Sequence, residues 1–360
     1  MAAAPQKHAP SFLGQHWFLL ALAIILPTGV LGAERLASLN TYTWPRTIIV
    51  CVVMGLMALP IPFELIRKSL ARPWPALLAS IINMGVIPLL AWVAAMSLPP
   101  YLGGGLIVAA TIPCTLASAA VWTRRAGGDD TVAILVTLAT NLTCVLVTPL
   151  WLVVLLGRSV DVQIEPLIRE LVLVVLLPIA IAQMLRFHRG MAMWAQRRKS
   201  TLALTCQIGI LIMVFLGAIQ MGQHLHATAP AATTAQPVND DGSIESALPT
   251  VTALQILWTV LLAAAIHLVA MAMGWSAAAR TGVARPQQIG VAISGSQKTL
   301  MIGLKLAMDC GVSILPMVAF HVGQLLMDTF IADRWRAATL RAETTGEEVE
   351  DSLDAAKKHP

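Results

Sequence analysis

The chain has 360 residues, 57% of them hydrophobic and 12% charged, with a mean hydropathy of +0.75 and a formal net charge of +5. Soluble domains carry roughly 25% charged residues, so water is excluded as the main solvent. The positive balance does not mark a nucleic-acid binder, because Lys and Arg stand singly or in small groups between apolar runs. Five cysteines without a CxxC spacing (Cys51, Cys114, Cys144, Cys206 and Cys310) exclude a disulfide framework and a zinc site.

In chain order the apolar runs fall near 12–32, 45–62, 75–97, 101–122, 131–156, 167–186, 202–221, 251–275, 286–308 and 313–332. Each approaches the ~20 residues that carry a helix across a ~30 Å hydrocarbon layer. The first imitates a signal peptide, with Lys7 before it and Gly32-Ala33 at its end. It exceeds the ~7 to 15 residues of a signal core, so an uncleaved first span is expected.

Charge sets the orientation, since short cytoplasmic loops accumulate Lys and Arg. With ten spans and the N-terminus inside, the cytoplasmic segments hold 18 basic residues and the opposite side only 4 (Arg35, Arg46, Arg158 and Arg169), with Lys298 and Lys305 left in the ninth run. The expected organisation is a cytoplasmic N-terminus (1–11), a transmembrane transporter domain (12–333) and a cytoplasmic tail (334–360), in the cell (inner) membrane with both termini cytoplasmic. Segment 222–250, polar and free of Lys and Arg, reads as an extracytoplasmic loop.

The first run contains Ile25-Leu26-Pro27 and the sixth Leu176-Leu177-Pro178, a weak duplication. Five spans followed by five would place the two halves in opposite orientations, as in several secondary transporters. The fourth and ninth runs hold equivalent places and are both interrupted by small and polar residues. One interruption is Thr111-Ile112-Pro113-Cys114-Thr115-Leu116-Ala117-Ser118; the other is Ser294-Gly295-Ser296-Gln297-Lys298-Thr299. Pro113 removes a helix donor and Gly295 weakens its turn, so both helices are expected to unwind there. Unwound backbone at membrane depth survives only against protein or a wet cavity, and paired breaks present dipole ends and free carbonyls to ions and anions.

Lys298 is the sharpest candidate, because an ammonium at mid-membrane costs at least ~2.5 to 3.5 kcal/mol and needs a cavity or a partner. It binds a substrate anion or stands in for a cation; the plainer reading is a structural lysine bonding helix-end carbonyls. Asn83, the i,i+4 pair Thr137 and Asn141, and the i,i+3 pair His321 and Gln324 are ligand contacts or interhelical glue. His267, Gln207 and Gln220 read as structural, and Asp328 as lying near the cytoplasmic end, meeting water or Arg334. No Walker loop, HExxH or GxSxG is present, and Asp309 and Asp328 near helix ends do not make an intramembrane protease, so no enzyme is expected.

Taken together, Asn83-Met84-Gly85-Val86-Ile87-Pro88, Pro113-Cys114-Thr115-Leu116-Ala117-Ser118 with Ala126-Gly127-Gly128, Thr140-Asn141-Leu142, Ser296-Gln297-Lys298-Thr299-Leu300, and His321 with Gln324 run in the order seen in a known family. In them the chain resembles the bile acid:sodium symporter family, and more closely its SBF-like branch. The resemblance implies an all-α membrane protein of ten helices in two inverted five-helix repeats, the sodium/proton antiporter-like fold. Spans four and nine would be broken and cross within a core of spans 3, 4, 5, 8, 9 and 10, and spans 1, 2, 6 and 7 would form a panel. It implies a secondary active transporter of an organic anion, sodium-coupled in characterised members, working by alternating access. By motif, Asn83 takes the place of a sodium-site glutamine, Ser118 and Thr137 those of hydroxyl ligands and Gln297 that of the glutamine in span nine. Thr115 and Asn141 complete the candidate sodium site, and Ser294, Ser296, Lys298, Thr299, His321 and Gln324 form the candidate substrate and coupling set. Two departures bear on coupling: Ile293 stands where sodium-coupled members have a carboxylate, and Ala119 replaces an asparagine. Lys298 beside that gap would neutralise the site, making a sodium-independent or proton-coupled carrier the alternative, together with a non-transporting receptor or regulatory subunit. Beyond a sodium ion no cofactor is implied; the expected partners are the bilayer and a small organic anion, without nucleic acid, and no oligomeric state is indicated.

Overall fold

Prolines and short polar residues mark where the helices begin. The structure, a computed structural model, describes residues 12–62, 73–116, 118–157, 163–228 and 251–358. The expected N-terminal segment, the basic residues Arg67, Lys68, Arg72 and Arg158, and the stretch 229–250 lie outside them. In chain order the helices are α1 (Phe12–Leu31), α2 (Trp44–Ala58), α3 (Trp74–Ala95), α4 (Pro100–Thr111), α5 (Ser118–Arg125), α6 (Asp130–Leu156), α7 (Ile164–Arg186), α8 (Arg189–Arg197), α9 (Lys199–Thr228), α10 (Ala253–Arg280), α11 (Arg285–Ser296), α12 (Leu300–Asp309) and α13 (Leu315–Lys358). Proline in the first turn opens α2, α3, α4 and α11, where its missing N–H is no loss. The Asp129 carboxylate caps Thr131 at the start of α6, and Thr252 with Gln255 closes a capping box on α10.

Among the described residues, α3, α6, α7, α9, α10 and the first 25 residues of α13 are long and apolar enough to cross a membrane. The fourth and ninth apolar runs each resolve into two half-length helices, α4 with α5 and α11 with α12, so a length criterion passes them over. One expected boundary is corrected. The seventh run does not stop before Gly222: α9 continues as helix to Thr228, two residues short of Pro230, so the loop is shorter than 222–250. The tail from residue 334 continues the preceding span as helix, α13 running unbroken to Lys358.

Two groups of helices can be told apart by what they touch. In the first, α1 lies along α9, and α2 packs on α7 and α9. Small residues set these approaches: a Cβ on Gly29 would lie 2.6 Å from the Ala218 Cβ, and one on Gly222 would strike the Val30 carbonyl. In the second, α11 packs on α3, α6 and α10, and α13 on α4, α5 and α10. The groups meet where α12 contacts α2 and α9 and where α6 contacts α7.

Candidate functional site

Both interruptions unwind, and they do so against each other. Helix α4 ends at Thr111, Ile112 is extended (ψ 160°), and helix resumes at Ser118. In the second interruption α11 ends at Ser296, Gln297 and Thr299 are extended (ψ 144° and 139°), and α12 starts at Leu300. The breaks are bonded directly, the Thr299 N–H donating to the Pro113 carbonyl at 3.0 Å.

Neighbouring helices supply the partners that this free backbone requires. For the first break they come from α6. Thr137 Oγ1 donates to the Thr115 carbonyl (3.0 Å), Asn141 Nδ2 to the Cys114 carbonyl (3.0 Å), and the Cys114 N–H to Thr140 Oγ1 (3.2 Å). For the second, Gln324 of α13 brackets Lys298, accepting from its N–H and donating to its carbonyl, both at 2.9 Å. Gln324 Nε2 also lies 3.0 Å from His321 Nδ1. From α3, Asn83 Nδ2 reaches the carbonyls of Gln297 (2.8 Å), Ser294 and Gly295 (both 3.3 Å).

Lys298 is fully buried at 0% exposure. Its Nζ donates to the Asn83 carbonyl at 2.6 Å, the Ile112 carbonyl at 2.8 Å and Asn83 Oδ1 at 3.2 Å, so each of its three contacts is an oxygen acceptor. Pro88 creates part of this site. Asn83 lies in a π-helical turn, Ile82–Val86, where a carbonyl bonds the N–H five residues on. Five residues after Asn83 stands Pro88, which has no N–H, so the Asn83 carbonyl is left for Lys298. The Met84 carbonyl, which an ordinary helical turn would pair with residue 88, is taken by Trp151 Nε1 at 2.7 Å.

Next to Lys298, Gln297 is spent on both sides of its amide: Oε1 accepts from Ser118 Oγ at 3.0 Å and Nε2 donates to the Asp328 carboxylate. Asp328 is 0% exposed, which corrects its placement near the cytoplasmic end with water or Arg334. Its other oxygen lies 3.0 Å from His267 Nε2, and His267 Nδ1 lies 3.2 Å from the Ser296 carbonyl. That carbonyl can only accept, so Nδ1 carries a proton and a further proton is held between Nε2 and the carboxylate. Sequence reasoning missed this carboxylate, although His321, Gln324 and Asp328 follow an i, i+3, i+7 spacing on one face of α13. Ile293 and Ala119 are fully buried in apolar clusters.

The remaining candidates lie close by with different bonds. Ser294 and Ser296 Oγ donate back to their own helix, to the carbonyls of Gly290 and Ile293. Thr299 is buried beside Pro113. Asn141 Oδ1 is buried without a hydrogen-bond partner, while Ser118 Oγ is shared between Gln297 and Thr115 Oγ1.

A cavity of about 300 Å³ opens beside the breaks, between the two helix groups. Leu56, Pro60, Leu202 and Ile210 form an apolar wall from α2, α9 and the segment after α2, while Thr115, Ser118 and His321 supply the polar side. Arg124, which is paired with the Asp130 carboxylate, and Lys199 also line it. Ser118 is common to cavity and crossing, so an occupant of the cavity would touch the network that holds Gln297.

A helical membrane domain with two opposed breaks bonded at its centre and a cavity beside them is the architecture of a transport protein. The chain belongs to the SBF-like CPA transporter family, whose profile matches residues 11–228 and 241–337. It is 26% identical over 247 residues to a probable chloroplastic sodium/metabolite cotransporter, BASS4, of Oryza sativa subsp. indica, covering 64% of this chain and 54% of the rice protein. It is 23% identical over 274 residues to the putative symporter YfeH of Escherichia coli (73% and 74% covered) and 23% over 211 residues to sodium/bile acid cotransporter 7-B of Xenopus laevis (56% and 61% covered). The aligned part is about half the length of the rice protein. The family and these relatives are transporters, not enzymes.

Proposed function

We propose that this protein is a secondary active transporter of an organic anion, working by alternating access from the cell (inner) membrane with both termini cytoplasmic. In this reading residues 12–333 are the transporter domain, built as ten spans in two inverted five-helix repeats. The group of α1, α2, α7 and α9 is the panel, and the remaining membrane helices are the moving core. The observation that carries the reading is the cavity between the two groups, which shares Ser118 with the crossing. Its apolar wall, polar floor and two basic residues suit an amphipathic anion.

For coupling, we place the Lys298 ammonium where a sodium ion would otherwise lie. The support is its three oxygen contacts at 2.6, 2.8 and 3.2 Å, together with apolar Ile293 in place of an anionic ligand. Sodium independence follows, with the buried His267–Asp328 pair as the ground for a proton-coupled cycle. Uptake of a metabolite mixture into proteoliposomes, under a sodium gradient, a pH gradient or neither, is the test. Flux under a pH gradient without sodium is the expected result. Sodium-dependent uptake by the wild type counts against the ammonium reading, and absence of flux under every gradient favours a receptor or regulatory subunit on the same fold.

A further inference from the structure

The seam between the two helix groups differs in chemistry from end to end. At the cavity end its walls are mostly apolar and stand apart. At the far end four charged side chains close on one another. Lys305 of α12 donates to Glu170 of α7 and, at 2.6 Å, to Asp309 one turn further along α12. Arg46, at the start of α2, lies 4.0 Å from the other oxygen of Asp309. Gln220 of α9 ties the cluster together, accepting from Arg46 at 3.4 Å and donating to the Met308 carbonyl at 2.9 Å. Beyond it Tyr101 of α4 stacks on His224 of α9, ring centroids 3.7 Å apart.

The partition of these charges follows the partition of the helices. Each cross-seam pair, Glu170 with Lys305 and Arg46 with Asp309, has one member in each group, and the four formal charges cancel. The two basic residues are buried, at 7% and 2% exposure, whereas the side chains of Glu170 and Asp309 keep 28% and 23%. We infer that Arg46, Glu170, Lys305 and Asp309 form an ionic lock that holds this end of the seam shut while the cavity end is open. Both cross-seam pairs part whenever the protein opens to the other side. The inference rests on the alternating-access reading above and names the device that sets its closed end.

Physical chemistry favours charge for this task. A buried ion pair is near break-even, because desolvation cancels most of the Coulomb attraction, so water entering the seam rehydrates all four groups at little net cost. An apolar seal of the same area would have to expose its surface to open. Asp309 travels with Lys305 on α12, so the lysine keeps a partner when Glu170 withdraws. Wrongly aligned closures leave a charge buried alone, which is the arrangement that costs most.

Hydrogen–deuterium exchange on the full-length protein in nanodiscs tests the lock without any substrate. In Glu170→Gln, amide exchange in residues 216–224 of α9 and 304–309 of α12 should rise about three- to tenfold, the shift expected when Lys305 loses its partner across the seam and keeps only Asp309. Exchange in 118–125 and 199–210, around the cavity, should fall in the same variant as that end closes. Arg46→Gln, which removes the other pair, should reproduce both changes. A rise confined to the residues beside the substitution, with no fall at the cavity, overturns the lock and leaves a structural salt bridge; so does unchanged exchange in both variants. Because the measurement does not depend on flux, a protein that rocks without transporting still passes it, and the uptake experiment decides that question separately.

Discussion

Lys298→Ala should convert a site closed by the protein's own ammonium into one open to a bare cation. The substitution removes the donor that reaches the Asn83 and Ile112 carbonyls and Asn83 Oδ1. At about 1 to 3 kcal/mol for each buried acceptor left unpaired, the gross loss is about 3 to 9 kcal/mol. No longer burying an ammonium returns several kcal/mol, so the net destabilisation is at most about 4 kcal/mol. Sodium can enter the space ringed by the three oxygens, and at a hundred times its Kd it restores about 2.7 kcal/mol. The expected result is a wild-type melting temperature indifferent to replacing choline by sodium, and a variant several degrees less stable in choline that recovers in sodium. The protein's ten tryptophans make intrinsic fluorescence of the detergent-solubilised chain a suitable readout. Sodium stabilising the wild type as much as the variant would refute the reasoning, as would a variant that melts in choline where the wild type does.

Trp151→Phe takes away the indole N–H that satisfies the Met84 carbonyl, and should cost about 1 to 2 kcal/mol in thermal unfolding. Gly222→Val drives a side chain into the Val30 backbone and should cost about 1 to 3 kcal/mol, whereas Gly85→Ala, with nothing within 4 Å of the added carbon, should cost nothing on the same assay. Neutralising Arg124 and Lys199 together in the cavity lining should raise KM for the transported anion by about three- to tenfold with little change in kcat, an effect that shrinks as salt is added. A double variant whose KM at low salt equals that of the wild type would remove these cations from the uptake path.

Hydropathy located the apolar runs because each is a local property of about 20 residues, and Pro113 and Gly295 marked the breaks because backbone chemistry is local too. Boundaries fared less well. Gly222 looks like a helix stop beside Gln223 and His224, but in the fold it is the residue that lets α9 approach α1, and the helix passes through it. Asp328 escaped for a related reason. Its position in α13 suggested water, while the partners that bury it, His267 and Gln297, sit 61 and 31 residues away in sequence. The Lys298 contacts fall between these cases. That the lysine required a partner followed from the cost of its charge, but which oxygens it meets depends on a proline 210 positions earlier and on a π turn that no periodicity announces.

Helix α13 has a practical consequence for imaging. Its 44 residues amount to about 66 Å of rod at 1.5 Å per residue, more than twice the thickness of the hydrocarbon layer. Residues 340–358 therefore extend about 28 Å past the apolar portion that ends at Thr339. A membrane protein of 38.4 kDa otherwise offers single-particle microscopy few features outside its micelle. A binding module fused rigidly onto that helical extension would give the particle a fiducial continuous with the helix that carries His321, Gln324 and Asp328, so that its tilt would report movement of the crossing itself.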